Sequence, residues 1–232
     1  MRHCLHSFAG RVGYAEAAAL QDRCARLLKD GGGVERLLLL EHPPVITLGR
    51  NARSEDVLHD EATLESLGVE VRETNRGGQV TYHGPGQIVG YPILDLSPDR
   101  RDVARYLRDL EEVLIRALAA FGVTAGRVAG LTGVWVGSDK IASIGVHLSR
   151  WVTTHGFALN VNTDLSRFGL IVPCGLRDGA VTSMERLLGR PTPLAQVAAA
   201  IVPAFGEIFG REMAPESPQA ALSGPSALTE VA

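Results

Sequence analysis

The chain has 232 residues, of which 45% are hydrophobic and 21% charged, a mixture typical of a folded globular protein and not of a disordered or fibrous one. The length favours a single large domain. The net charge of −3, from 23 basic and 26 acidic side chains, provides no general cationic field of the kind that nonspecific nucleic-acid binding requires. We therefore expect no nucleic-acid partner.

The N-terminal segment and the cysteines indicate the cellular compartment in which the protein works. Residues 1–30 carry charged side chains at short intervals, which excludes the apolar core of a signal peptide. No stretch approaches the ~18 consecutive apolar residues of a membrane helix. Cys4, Cys24 and Cys174 form an odd set without metal-ligand spacing, which indicates free thiols in a reducing compartment. We expect a cytoplasmic protein with no membrane partner.

Helical and extended segments are mixed from the start of the chain. Apolar residues at helical spacing predict the first helix, which a run of three glycines ends. Leucine-rich and β-branched runs predict the strands that follow. The predicted segments are a helix at Tyr14–Leu28, strands at Arg36–His42 and Val45–Arg50, a short helix at His59–Leu67 and a strand at Val69–Asn75.

The second half begins with the clearest helix, which has one apolar stripe opposite a charged face. Three extended pieces joined by short turns then predict an antiparallel meander, and a threonine–proline pair opens the last helix. The predicted segments are a helix at Asp102–Phe121, strands at Gly133–Val136, Lys140–Leu148 and Trp151–Asn162, and a helix that opens at Thr192 and Pro193.

These segments predict one α+β domain, residues 1–213, in which helices pack on a mixed β-sheet. Beyond Met213 the composition shifts to proline, alanine, serine and glycine with little periodicity. We therefore expect residues 214–232 to form a loosely held tail.

The glycine-rich stretch RGGQVTYHGPGQ, residues 76–87, follows a predicted strand. A backbone with so few side chains can approach a ligand closely. The stretch lacks the Gly-Lys-Ser/Thr ending of a P-loop and the spacing of a dinucleotide-binding loop, so phosphate binding is not indicated. The alternative is a pair of tight turns beside a short strand, but the interleaved arginine, glutamine, threonine, tyrosine and histidine favour a binding role.

Cys174 is followed by a glycine and preceded by a proline, so it is predicted on a stiff, exposed turn that can present a thiol. From the residues alone, a buried structural cysteine is an equally good interpretation. Cys4 and Cys24 fit that second interpretation better, since Cys24 lies on the apolar face of the first predicted helix.

Lys140 begins a predicted strand, where a solvated side chain is the ordinary interpretation of any lysine. Seven histidines are candidate bases. His83 and His155 are the two that lie beside glycine-rich sequence.

Four motifs together resemble one known family. The stretches RGGQVTYHGPGQ, DKIASIGV, HGFALNVN and VPCGL are similar to those of the lipoyl(octanoyl) transferases, the LipB-type octanoyltransferases of lipoate assembly. The resemblance covers roughly Leu38 to Leu188, well over half of the chain. It implies a fold similar to the catalytic domain of lipoate and biotin protein ligases.

The resemblance also implies site roles. Cys174 matches the acyl-thioester nucleophile, and Lys140 matches the residue that lowers the pKa of that thiol and moves protons. It implies neither a metal nor a cofactor. The residues that match substrate-lining segments are Arg76, Gly77, Gly78, Gln79, Val80, Thr81, Tyr82, His83, Ser143, Ile144, Gly145, Gly156, Phe157 and Ala158.

The implied donor is octanoyl-acyl carrier protein. The implied acceptors are lysines on the lipoyl domains of 2-oxoacid dehydrogenase complexes and on the glycine cleavage H protein. Backbone N–H groups near Gly77-Gly78, Ser143–Gly145 or Cys174 are candidates for the oxyanion hole.

Other functions remain open from the sequence. A lipoate or biotin protein ligase would share the fold and a comparable lysine, but it needs no nucleophilic thiol. An enzyme that moves acyl groups between lipoylated proteins would differ only in its donor. The remaining alternatives are a noncatalytic carrier-binding module and a cysteine hydrolase that uses Cys174 with a histidine.

Overall fold

The computed structural model describes residues 2–97, 100–172 and 180–223. The strands within these ranges are β1 Arg2–Arg11, β2 Glu35–Glu41, β3 Val45–Leu48, β4 Glu70–Glu73, β5 Val80–His83, β6 Gln87–Ile93, β7 Val134–Val136, β8 Asp139–Ser149, β9 Val152–Asn160 and β10 Arg211–Pro215. The helices are α1 Tyr14–Lys29, α2 Glu61–Ser66, α3 Val103–Ala119, α4 Met184–Leu188, α5 Leu194–Phe209 and α6 Pro218–Ser223, with 3-10 turns at Ser54–Asp56 and Leu165–Leu170. Within the described residues, no helix is long and apolar enough to cross a membrane.

The described strands form two sheets. The larger has seven strands in the order β10-β1-β2-β6-β9-β8-β7, and the smaller has the order β4-β3-β5. In the larger sheet, β10, β1 and β2 run parallel, whereas β2, β6, β9, β8 and β7 pair in antiparallel fashion. The predicted α+β class, the mixed sheet and the meander of β7, β8 and β9 are confirmed.

The leucine run in β2 shows why the large sheet is covered on both faces. Successive side chains of a strand point to opposite faces. Leu37 and Leu39 belong to the apolar core around α3 and α5, whereas Leu38 and Leu40 belong to a second core around α1 and α6. All four are at most 2% exposed, so the large sheet is the middle layer between two layers of helix.

The longest predicted helix is confirmed as α3. Its N-cap is Asp102, whose carboxylate accepts a hydrogen bond from the backbone N–H of Arg105 at 3.0 Å. The apolar stripe is buried against α5, where the ring of Tyr106 meets that of Phe209 edge-on and the tilted rings of Phe205 and Phe209 have centroids 4.4 Å apart. This α3 and α5 layer is the largest apolar core of the described chain.

The C-terminal boundary differs from the prediction. Residues 214–223 are not a loose tail: β10 runs on to Pro215 beside β1, and α6 follows with Ala221 fully buried. Sequence periodicity missed this segment because its hydrogen-bond partner, the edge of β1, is distant in sequence, and β1 itself was not predicted. Residues 224–232 of the predicted tail lie outside the described residues.

The start of α5 also differs slightly from the prediction. The helix begins at Leu194 with Pro193 in the N-cap position, one residue later than the threonine–proline pair predicts. Thr192 is held outside the helix because its backbone N–H donates to Asn162 Oδ1 at 2.9 Å and its carbonyl accepts from Asn162 Nδ2 at 2.8 Å.

Candidate active site

A cavity of about 260 Å³ lies between β5 of the small sheet and strands β6, β8 and β9 of the large sheet. Its lining is mostly apolar, with polar groups at a few positions. The volume is just below the roughly 300 to 1,000 Å³ typical of pockets for drug-sized ligands, so the cavity suits a small apolar group.

The predicted substrate-lining residues line this cavity except Gly77 and Tyr82. Thr81 and Tyr82 point to opposite faces of β5, and the Tyr82 ring packs on Phe168 with centroids 5.7 Å apart. Gly77 instead fastens the glycine-rich loop to β8, because its N–H donates to the carbonyl of Val146 at 2.9 Å. The N–H of Gly77 is therefore already used and is not available as an oxyanion donor.

Further residues of the cavity wall were not predicted. They come from elements far apart in the chain: α1, β6, the loop before β7, a 3-10 turn and the segment after residue 180. They are Tyr14, Val89, Tyr91, Gly130, Leu131, Thr132, Phe168 and Val181. No local pattern marks them, because each looks like an ordinary core or loop residue within its own element.

Lys140 lines the cavity near the start of β8. Its backbone N–H donates to the carbonyl of Ala180 at 2.9 Å, and its carbonyl accepts from the N–H of Thr182 at 3.0 Å. Its ammonium nitrogen lies 4.8 Å from the ring centroid of Trp135, a cation–π distance. The residue is partly buried, and it lies in the cavity wall beside the Trp135 ring.

Cys174 lies outside the described residues. The described residues nearest to it in the chain are Val172, whose N–H donates to the carbonyl of Asp56 at 2.8 Å, and Ala180, which is bound to Lys140. The two other cysteines, Cys4 and Cys24, are buried with free thiols, as predicted. Burial raises the pKa of Cys4 to about 12, so this thiol stays protonated.

The loop before β7 is fixed beside Lys140 by a buried carboxylate. Glu111 of α3 is fully buried and accepts hydrogen bonds from the N–H of Gly133 at 3.1 Å, from Arg127 Nε at 3.0 Å and from Arg108 Nη1 at 2.7 Å. Gly133 has a φ of 131°, and a Cβ there would lie 2.7 Å from the carbonyl oxygen of Ala142. Only glycine fits this position, which carries Gly130, Leu131 and Thr132 to the cavity wall.

A chain of buried hydrogen bonds begins at Arg76. Its guanidinium donates to Thr47 Oγ1 at 2.8 Å and to the Thr47 carbonyl at 2.6 Å. On the other side of the His83 ring, Nδ1 lies 2.8 Å from Gln87 Oε1, an oxygen that can only accept, so the neutral ring carries its proton on Nδ1. The Thr47 hydroxyl accepts from Arg76 and donates its own proton to the unprotonated Nε2 of His83, 3.3 Å away.

The same chain continues across the large sheet. His83 Nδ1–H donates to Gln87 Oε1 at 2.8 Å, Gln87 Nε2 donates to Asn160 Oδ1 at 2.9 Å, and Asn160 Nδ2 donates to the carbonyl of Thr182 at 3.0 Å. The amide orientations follow because Gln87 Nε2 also donates to the carbonyl of Tyr82. The chain thus connects the glycine-rich loop to Thr182, which is bound to the backbone of Lys140.

The histidines at the cavity are neutral. Burial, together with the nearby positive charge of Arg76, lowers the pKa of His83 to about 3 and that of His155 to about 4. A base with so low a pKa accepts a proton poorly at neutral pH. Neither candidate base predicted from the sequence is therefore suited to activate a thiol at neutral pH.

Comparison with known proteins identifies the family. The model of the lipoyl protein ligase A/B catalytic domain matches residues 13–206, which is most of the chain. The chain belongs to this family. The resemblance drawn from the four motifs is thereby confirmed.

Several relatives of known name share about half of their residues with the chain. An octanoyltransferase of Solibacter usitatus is 54% identical over 221 residues, which cover 95% of this chain and 100% of that protein. An octanoyltransferase of Rubrobacter xylanophilus is 55% identical over 203 residues, with coverages of 87% and 91%. One of Myxococcus xanthus is 54% identical over 209 residues, or 88% of this chain, but the match spans only 58% of that longer protein.

Solved structures of this family's fold superpose on nearly the whole chain. A lipoate-protein ligase A bound with ATP gives a TM-score of 0.76 at 17% identity, covering 96% of this chain and 93% of that one. A biotin protein ligase from Aquifex aeolicus in complex with biotin and ATP gives 0.54 at 11% identity, with coverages of 90% and 71%. The predicted likeness to the ligase catalytic fold is confirmed.

Proposed function

We propose that the protein transfers an octanoyl group from octanoyl-acyl carrier protein to a lysine of lipoyl domains, through a thioester on Cys174, with Lys140 as the acid/base partner. The acceptors in this proposal are the lipoyl domains of 2-oxoacid dehydrogenase complexes and the glycine cleavage H protein. The reaction takes place in the cytoplasm and uses neither metal nor cofactor.

The observation that carries the proposal is an apolar cavity with Lys140 in its wall, in a chain about half identical to several octanoyltransferases. An apolar lining excludes water and accepts hydrocarbon, whereas a phosphate or sugar would need more polar partners. The neutral state of His83 and His155 supports the same assignment, since neither places a charge against an acyl chain.

In the first half-reaction, the Cys174 thiolate attacks the carbonyl carbon of the donor thioester. A new carbon–sulfur bond forms to Cys174, the bond to the carrier sulfur breaks, and the ammonium of Lys140 gives its proton to the departing carrier thiolate. Exchange between two thioesters is nearly balanced in free energy, so this step needs no ATP. The acyl-enzyme remains with a neutral Lys140 beside it.

In the second half-reaction, the amine of the target lysine attacks the acyl-enzyme. A carbon–nitrogen bond forms, the Cys174 sulfur leaves as a thiolate, and the neutral amine of Lys140 takes the surplus proton from the attacking nitrogen. Formation of an amide from a thioester drives the reaction forward. The enzyme returns to its thiolate and ammonium state.

Intact-mass spectrometry after incubation with octanoyl-acyl carrier protein tests the nucleophile. We expect the wild type and the control variant Cys24→Ala to gain one octanoyl group, and Cys174→Ala to gain none. Cys24 is a fair control because it is buried in the α1 core. An adduct on Cys174→Ala would overturn the assignment of the nucleophile.

The wild type and Cys174→Ala, assayed with and without ATP, distinguish this activity from that of a ligase. If octanoylation of a lipoyl domain required ATP and survived Cys174→Ala, the protein would act as a ligase that forms an acyl-adenylate. We expect transfer without ATP that is lost with the thiol.

A further inference from the structure

A second, polar cleft of about 480 Å³ adjoins the apolar cavity. The two share two lining residues, Tyr14 and His155. On the far side of this pair the lining becomes polar and charged, with Gln21, Asp22 and Arg50 among its members. Tyr14 and His155 therefore separate an apolar space from a hydrophilic one.

The pairing of β8 with β9 gives the direction of the apolar cavity. Lining residues follow in order from Lys140 along the two strands: Ser143 opposite Ala158, Ile144 opposite Phe157, and Gly145 opposite Gly156. The next pair is Val146 and His155. At about 3.3 Å per residue, Lys140 and His155 stand at opposite ends of a slot roughly 20 Å long, part of which the lysine side chain fills.

His155 has an unfavourable backbone conformation that its surroundings hold in place. Its φ of 56° lies in the left-handed region that favours glycine, although it is in the middle of a strand. Its N–H donates to Gln21 Oε1 at 2.7 Å, and its ring Nε2 lies 2.7 Å from Asn75 Oδ1. Gln21 of α1 thus holds the backbone of His155, and Asn75 holds its ring at the end of the cavity.

Tyr14 closes the same end from the first turn of α1. Its ring is buried and stacks on the ring of His83 with centroids 6.5 Å apart. Burial lowers the pKa of His155 and raises that of Tyr14, so both groups are neutral near pH 7 and can contact hydrocarbon.

We propose that Tyr14 and His155 form the end wall of the acyl cavity and thereby limit the length of the acyl chain that the enzyme transfers. This inference rests on the proposed function, which places the reacting carbonyl at Lys140 and the methyl end of the chain against this pair. Removing the wall joins the cavity to the polar cleft, so a longer chain can pass through instead of clashing.

The test is acyl transfer by His155→Gly with octanoyl and dodecanoyl carrier protein. Glycine accepts the left-handed backbone and keeps the N–H that binds Gln21, so we expect the variant to fold. Because a single methylene in an apolar pocket changes selectivity by roughly tenfold or more, we expect the dodecanoyl-to-octanoyl rate ratio to rise at least about tenfold. Thr154→Ser is the matched control: Thr154 lines the cleft but not the cavity, and its ratio stays at the wild-type value.

The variant Tyr14→Ala and a binding measurement test the wall without relying on the rate of acyl transfer. Tyr14→Ala opens the wall from α1 and is expected to raise the ratio as well. Calorimetric binding of free octanoate and dodecanoate reports cavity length without chemistry, and both wall variants should gain affinity for dodecanoate relative to octanoate. If the wild type transfers no acyl group, the proposed function fails while this binding order still tests the wall.

An unchanged rate ratio and an unchanged binding order in both variants would overturn the proposal. Failure of His155→Gly to fold, seen as a lost circular-dichroism melting transition, would also count against it, because the left-handed backbone at this position is part of the argument.

Discussion

The two faces of the seven-stranded sheet differ in what they bury: one covers an apolar core, and the other borders the cavity. On one face, α3 and α5 cover an almost wholly apolar layer in which the rings of Phe205 and Phe209 are in contact. On the other, α1 and the small sheet enclose the mostly apolar cavity, and beside it runs a hydrogen-bonded chain of buried polar groups, from Arg76 through Thr47 to His83. The first face gains its stability from burial of area, which tolerates many residue choices. The second depends on each donor having its own acceptor, because a buried polar atom without a partner is costly.

The contrast predicts how mutations divide between stability and activity. Substitutions on the helical face should lower the free energy of unfolding and leave the specific activity of the folded protein unchanged. Substitutions along the polar chain should lower both, since that chain ends at the residue bound to the backbone of Lys140.

The largest effect on stability is expected from Phe205→Ala. Phe205 is fully buried between α5 and the sheet, and removal of a buried phenylalanine side chain costs about 3 to 5 kcal/mol in the free energy of unfolding. The control is Val103→Ala on α3, where the side chain is 43% exposed and little should change. Urea unfolding followed by circular dichroism measures both. Equal losses would mean that the apolar face is not the main source of stability.

A smaller loss of stability, with a loss of activity, is expected from Thr47→Val. Valine keeps the shape but removes the hydroxyl that accepts from Arg76 and donates to His83. The variant leaves His83 Nε2 without this donor and removes one acceptor of Arg76, at a cost of about 1 to 3 kcal/mol in the free energy of unfolding. Thr124→Val, at an exposed position, is the matched control. Transfer rates and urea midpoints should fall only for Thr47→Val, and an active, fully stable variant would show that the polar chain does not matter.

The effect that is smallest at neutral pH, and that grows as the pH falls, comes from the buried histidines. His42, His83 and His155 are buried and neutral, with the pKa of His42 lowered by burial from 6.5 to about 4. Below pH 6.5 the unfolded chain takes up protons that the folded state does not. Stability is therefore full above about 6.5 and falls with decreasing pH towards the folded pKa, by up to about 1.4 kcal/mol per pH unit for each histidine.

Urea unfolding at a series of pH values from neutral to mildly acidic measures this slope. His42→Gln removes one of the three buried groups and should flatten the dependence, whereas His59→Gln removes an exposed imidazole and is the control. Stability that does not change with pH over this range would contradict the neutral, buried state of the three rings.

The two faces also differ in how well the sequence predicts them. The stripe of α3, the leucine run of β2 and the strands of the meander follow from local periodicity, because each buries its apolar residues on a regular repeat. The sequence does not predict strand β1, because its charged and polar residues interrupt the alternation of apolar and polar side chains. Its partners β2 and β10 are also distant in the chain. The tail prediction failed for the same reason.

At the site, motif resemblance placed residues that periodicity could not. It placed Lys140 in the cavity wall, although the residue pattern alone favours a solvated lysine. It also included Tyr82, whose ring packs on Phe168 and does not line the cavity. Tyr14, Tyr91 and the positive φ of His155 had no local signal, because distant elements meet there only in the folded chain.

The measurement that most directly tests the central claim is rapid-quench kinetics of Lys140→Arg, with Lys140→Ala alongside. Arginine keeps a cation that does not lose its proton, so it can support the thiolate but cannot accept a proton from the incoming amine. We predict that Lys140→Arg forms acyl-enzyme slowly and accumulates it on Cys174 with very slow transfer to a lipoyl domain, while Lys140→Ala is impaired in both steps. Transfer at the wild-type rate by both variants would contradict the assignment of Lys140 as the acid/base partner.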